Sequence, residues 1–133
     1  MKSIFACCAG LGAACMLAAP LHAVGLGPLS KEGYIDGPRK GFELVIYNPY
    51  QTSVDFTAYA VAADDETPQP RVTIIPAQLK LGAGQSRRLV VIASDLAPEE
   101  YYQFRVCAER TTPPTGVAIN ARVCSQLSVR RVR

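Results

Sequence analysis

The chain has 133 residues, the size of one domain, and its 49% apolar and 19% charged residues suit a chain that buries a core rather than a disordered tail. A net charge of +3 is too small a basic surplus to call for a nucleic-acid partner. The cysteine, histidine and methionine inventory narrows further once the first residues are set apart.

Residues 1–23 read as a secretory signal peptide: Lys2 supplies the positive start, Ile4 to Ala19 is uncharged, Pro20 breaks the run, and Leu21-His22-Ala23 ends on a small residue. The uncharged run is shorter than the ~20 residues of a membrane-spanning helix, so no stable membrane anchor is expected. Cleavage after Ala23 leaves a single domain, residues 24–133, with 13 basic and 11 acidic side chains, Lys2 being the one charge removed. It also removes His22, both methionines, and Cys7, Cys8 and Cys15. A chain without histidine has no Ser–His–Asp or Cys–His nucleophile and no imidazole ligand, and two cysteines cannot close a tetrahedral zinc site. There is no phosphate-cradling glycine loop and no Cys-x-x-Cys pair. No cofactor or metal is expected, and an enzyme is not the reading. The dense acidic run, Asp64-Asp65-Glu66, lies among turn residues and reads as a solvated loop rather than a calcium or catalytic site.

In chain order, Val24 to Asp36 is a ragged strand carrying Leu26, Leu29 and Ile35, closed by the turn Asp36-Gly37-Pro38. Residues 42–47 alternate, with Phe42, Leu44 and Ile46 on one face, and Asn48-Pro49 turns the chain. Residues 54–61 set Val54, Phe56, Ala58 and Ala60 against Asp55, Thr57, Tyr59 and Val61. After the acidic loop 62–70 comes a short strand, 71–75, stopped by Pro76. Leu79 and Leu81 precede Gly82-Ala83-Gly84. Residues 87–93 are apolar on both faces, which predicts a central strand covered on both sides. Residues 101–109 point Tyr102, Phe104, Val106 and Ala108 inward, and residues 117–129 alternate longest, from Val117 to Val129. About seven strands with regular turn signals predict an all-β, two-sheet antiparallel sandwich of immunoglobulin type.

Cys107 and Cys124 each lie on the polar phase of their strands. Setting them opposite each other in an antiparallel pair puts Phe104 across from Leu127, Tyr102 from Val129 and Val106 from Ser125. Both apolar phases then share one face, as register requires, and the centre of symmetry falls at Thr115-Gly116, in a turn-forming stretch. An even pair in an exported chain reads as a disulfide. Pro113 and Pro114 cannot donate to a ladder, so the first arm should end near Arg110 or Thr111 while the second keeps its apolar alternation back to Val117.

The stretches Phe42 to Asn48, Ile75-Pro76 followed by Leu79, Leu81 and Gly84, the strand Arg88 to Val91, and Glu100 to Cys107 resemble, in order and spacing, the periplasmic pilus (fimbrial) chaperones. The alternating Val117 to Val123 is similar to the strand that those chaperones lend to a subunit, and a subgroup of the family ties its last two strands together as Cys107–Cys124 would. The resemblance covers roughly residues 28–130. It implies a PapD-like N-terminal immunoglobulin-like domain, present as a single domain. It also implies a periplasmic protein whose partner is an exported pilus subunit or another periplasmic protein, bound by strand addition through Val117, Ile119, Ala121 and Val123. The family's chaperones carry a second such domain and hold a subunit's terminal carboxylate with a basic pair. The first of those basic positions aligns with Glu32, beside Lys31. The second falls at Gln126 to Ser128, near Arg122 and Arg130, so Lys31, Arg122 and Arg130 are the candidate carboxylate anchors. The alternative is a secreted structural or pilus-associated module without chaperone activity, which predicts self-association. A third class, a carbohydrate hydrolase or lectin, needs a carboxylate or aromatic cluster in a cleft, for which Tyr47, Tyr50 and Tyr59 are the candidate aromatic patch. The terminal Arg130-Arg131-Val132-Arg133 reads as a solvated tail.

Overall fold

The computed structural model describes residues 24–112 and 121–133. Residues 1–23, and with them the expected leader, lie outside the described residues, as do Val117 and Ile119. Nine strands are seen among the described residues: β1 (Gly25–Gly27), β2 (Ser30–Ile35), β3 (Lys40–Tyr47), β4 (Val54–Ala62), β5 (Val72–Ile75), β6 (Gln78–Leu81), β7 (Ser86–Ala93), β8 (Tyr101–Arg110) and β9 (Arg122–Arg131). They form two sheets, ordered β1-β3-β7-β5 and β2-β9-β8-β4-β6. The predicted all-β sandwich is therefore the fold.

Its core is built from the alternating residues. Phe42, Leu44 and Ile46 of β3 and Leu89, Val91 and Ala93 of β7 face Phe56 and Ala58 of β4, Phe104, Val106 and Ala108 of β8, and Leu127 and Val129 of β9, all buried. Each such Leu, Val, Ile or Phe contributes about 1.5–3 kcal/mol by leaving water. Across the two sheets Phe42 meets Phe104 edge-on at 6.2 Å between ring centres, and Tyr102 stacks beside Phe104 at 5.1 Å.

Three local expectations are corrected. The ragged segment Val24 to Asp36 is two strands, not one. β1 pairs antiparallel with β3 in the first sheet, and β2 pairs parallel with β9 in the second, the one parallel ladder among the described residues. Pro28 falls between them, where the chain leaves one ladder, and Leu29 is left exposed. β7 is central in its sheet, between β3 and β5, but only one face is covered. Val90 points outward at 38% exposure, and no third layer lies over it among the described residues. The terminal arginine run is not a tail: Arg130 and Arg131 belong to β9, and the Arg131 Nη1 donates to the Leu96 carbonyl at 2.6 Å.

Two polar devices hold the loops. Asn48 is fully buried: its Nδ2 donates to the carbonyls of Thr52 (3.0 Å), Leu81 (2.9 Å) and Gly82 (3.0 Å), and its Oδ1 accepts from the Tyr50 amide (2.9 Å). One side chain thereby ties the turn after β3 to the turn after β6. That second turn places Gly84 at φ +70°, a region glycine enters without steric cost. Arg71 spans the opposite side. Its guanidinium donates twice to Glu100, at 2.8 and 2.9 Å, and to the carbonyls of Ser94 and Asp95, and it stacks 4.2 Å over the Tyr102 ring. The Arg71 hydrogen bonds, aided by the Ala97 amide, hold the Glu100 carboxyl below the usual range.

Candidate strand-pairing edge

β8 and β9 form the predicted hairpin register. Cys107 pairs with Cys124, Phe104 with Leu127, Tyr102 with Val129 and Val106 with Ser125. The two cysteines are joined by a disulfide. β8 ends at Arg110, before the two prolines. Cys107 is buried although it sits on the outward phase, beneath Tyr59, its neighbour on β4, and beside its bonded partner.

The two halves of β9 differ. Gln126 to Arg131 lies between β8 on one side and β2 on the other. Among the described residues Arg122 to Ser125 has a strand on the β8 side only, because the β2 ladder starts at the pair Ser30–Gln126. The chain crosses over at that point: the Gln126 amide donates to the Leu29 carbonyl at 2.8 Å, and the Ser125 hydroxyl to the Pro28 carbonyl at 2.5 Å. The main-chain groups alternate in direction. The Gln126 and Val132 amides point to the β2 side, onto Leu29 and Ile35, and the Arg131 amide points to the β8 side, onto Glu100. Even-numbered residues therefore face away from β8, so the main-chain groups of Arg122 and Cys124 face the open edge. The side chains of the odd-numbered residues turn toward the space between the sheets. Ser125, Leu127 and Val129 are buried there, Val123 is partly buried against the core, and Ala121 is exposed just before the strand. Val117 and Ile119 of the expected apolar stripe lie outside the described residues.

The candidate carboxylate anchors are not brought together. Arg122 already grips a carboxylate of its own chain. Its Nη1 and Nη2 donate to the two oxygens of Glu66 at 2.7 and 2.6 Å, and Nη1 also reaches the Tyr59 hydroxyl at 3.1 Å. Arg105 joins from β8, donating to Glu66 at 3.2 Å and to the carbonyls of Ala62 and Asp65. The Arg122 hydrogen bonds, reinforced by Arg105, pull the Glu66 carboxyl down to about 2. They push the Arg122 guanidinium up. The acidic loop is therefore docked on the outer face of the second sheet, where Val61 also lies buried in a bridge to Pro68. Arg122 and Glu66 lie 56 residues apart, and no local pattern pairs them.

Arg130 sits at the far end of β9, with its guanidinium 4.8 Å over the Tyr101 ring. It lines an open pocket of about 190 Å³ with Glu32, Gly33, Tyr34, Tyr101 and Ser128. Glu32, at the first basic position of the resemblance, pairs across the parallel ladder with Ser128, the last residue of the Gln126 to Ser128 stretch at the second, and neither carries positive charge. Lys31 is exposed and pairs with Leu127, so it takes the inner phase, opposite to Arg130. The three tyrosines of the carbohydrate reading are also apart. Tyr47 is on the outer face of the first sheet, Tyr59 on that of the second, and Tyr50 packs partly against the core under Arg110. Among the described residues no three His, Cys, Asp or Glu side chains are grouped to hold a metal, and no helix is long and apolar enough to cross a membrane.

No protein-family model and no curated protein matches the sequence. The fold does match solved structures. The E. coli chaperone DraB superposes with a TM-score of 0.66 at 19% identity, over 82% of this chain and 55% of that one. The structure of Salmonella enterica SafA pilin in complex with the SafB chaperone gives 0.68 at 22% identity, over 86% and 57%. The seventh PapD-like domain of human CEP192 gives 0.60 at 15% identity, over 88% of this chain and 94% of that one. The fold is that of a PapD-like domain. The chain spans a little over half the length of the two bacterial chains it matches. In this fold β9 is the last strand described, and among the described residues its first half has one open edge.

Proposed function

We propose that this protein is a periplasmic chaperone-like factor of pilus assembly that binds exported subunits by adding its last strand to the subunit's sheet. The observation that carries the reading is the half-open β9, where Arg122 and Cys124 present main-chain donors and acceptors with no strand beside them among the described residues. An added strand would bond to those groups and supply the affinity, while alternate side chains supply the specificity. Val117, Ile119, Ala121 and Val123, alternate residues of the sequence, would form the donated stripe. Residues 1–23 would direct export and be removed after Ala23, which intact-mass measurement on the exported protein checks.

Of the three cations proposed for a subunit's terminal carboxylate, Arg130 is retained, since Glu66 occupies Arg122 and Lys31 turns to the inner phase. The test is co-expression in the periplasm with the host's pilus subunit, followed by native mass spectrometry. A one-to-one complex is expected, with the amides of Arg122 and Cys124 becoming protected from hydrogen exchange. Ile119→Asp should abolish the complex and leave the circular dichroism spectrum unchanged. If the variant still binds, or those amides stay unprotected in the complex, the mechanism is wrong and a structural module without chaperone activity is the better reading.

A further inference from the structure

The outer face of the first sheet is largely apolar and uncovered among the described residues. Val45, Tyr47, Ile75 and Val90 are each 38–54% exposed. Its margins are bare. Gly27 pairs with Val45 and Gly41 pairs with Ile92, and a Cβ at either glycine would meet nothing within 4 Å. Val45 therefore stands above its β1 neighbour, while Val90 lies between Glu43 and the exposed Ile75. A patch of this kind on a small exported domain marks a contact surface.

The charges on that face indicate what covers it. At its centre two register pairs lie side by side: Glu43 opposite Val90, and Val45 opposite Arg88. The four side chains make a block in which the two valines occupy one diagonal and the acid and base the other. Neither Glu43 nor Arg88 makes an ion pair or side-chain hydrogen bond among the described residues. Turning a second copy over about an axis along the valine diagonal lays Val45 on Val45 and Val90 on Val90. The same rotation brings each Glu43 above the Arg88 of the other copy. The strands then cross steeply, in the near-orthogonal mode of sheet packing. This is an isologous contact, closed by symmetry, with an apolar centre and two identical ion pairs at its rim.

We infer that the protein associates with a second copy of itself through this face, with Glu43 and Arg88 pairing reciprocally across the two-fold axis. The surface is on the opposite sheet from β9, so the dimer leaves the strand-pairing edge open. The inference does not depend on that edge's function.

Sedimentation equilibrium of the full exported chain from about 10 µM to about 1 mM tests it. A reversible dimer is expected. Glu43→Arg should weaken it about tenfold or more by placing like charges together, Arg88→Glu should do the same, and the two together should restore it to near the original affinity. Val90→Asp should give a monomer whose unfolding midpoint is unchanged, because the side chain is on the outer face. A monomer throughout the concentration range overturns the inference. So does a dimer insensitive to Glu43→Arg but lost with Ile119→Asp, which would be association through β9. Failure of the double exchange to restore what each single change removes also overturns it.

Discussion

The cross-link between β8 and β9 can be removed without removing the hairpin, and the loss of stability follows from its position. Cys107 and Cys124 lie 17 positions apart in the chain. In the chain-entropy account, closing a loop of that length lowers the entropy of the unfolded chain enough to stabilise the folded state by about 3 kcal/mol. The native pairing should survive the loss, because Phe104–Leu127 and Tyr102–Val129 are buried and a one-residue slip would expose both rows. The double variant Cys107→Ala, Cys124→Ala should therefore keep its strand spectrum and unfold at lower urea. Its stability should fall by about 3 kcal/mol and its melting temperature by roughly 10–20 °C. Its m-value should rise, since an unlinked unfolded chain exposes more surface. Wild type in reductant should behave like the variant, and reductant should not affect the variant, which separates the cross-link from any effect of the alanines. A loss below about 1 kcal/mol would refute the entropic assignment. Loss of the Phe104–Leu127 contact by NMR would refute the claim that apolar register holds the hairpin.

Other outcomes follow from the same structure. Asn48→Ala should cost about 2–4 kcal/mol in urea unfolding, because three carbonyls lose a buried donor at once. Asn48→Asp should cost at least as much, since a carboxylate has no donor to offer them. Phe104→Ala should cost about 3–5 kcal/mol at its fully buried site between the sheets. Glu66 has a folded-state pKa below its ordinary 4.5, at about 2. Its pairing with Arg122 therefore adds stability above pH 4.5 that is lost as the pH falls from there toward 2. Carboxyl chemical shifts should titrate in that low window, and Glu66→Gln should flatten this part of the acid-unfolding profile. If Glu66 titrates near 4.5, the clamp does not form in solution. Arg71→Ala should cost about 1 kcal/mol, its ion pair, with side chains 26% and 27% exposed, being partly screened by water.

The strand phases were legible because each rests on a period of two within one segment. Phe42-Leu44-Ile46, Val54-Phe56-Ala58 and Phe104-Val106-Ala108 turn inward as their alternation requires. The β8–β9 register was legible as well, since two cysteines and two apolar phases agree on a single alignment. β7 misled because apolar residues on both faces of a strand say only that both are apolar. The core takes Leu89 and Val91, while Val90 faces outward onto a surface that needs its own account. The acidic run lies exposed, as composition suggests, but composition does not show that two arginines from distant strands hold Glu66.

By itself, then, the amino-acid sequence determined the strands, their inward faces, the disulfide-linked hairpin and the sandwich they imply, because local periodicity and one covalent link carry that information. The tertiary structure alone decided that the first segment splits between two sheets, that β2 runs parallel to one half of β9 and leaves the other half open among the described residues, and that Glu66 occupies Arg122. Those features join residues tens of positions apart, and which of many compatible strands lie side by side is settled only when the whole core closes.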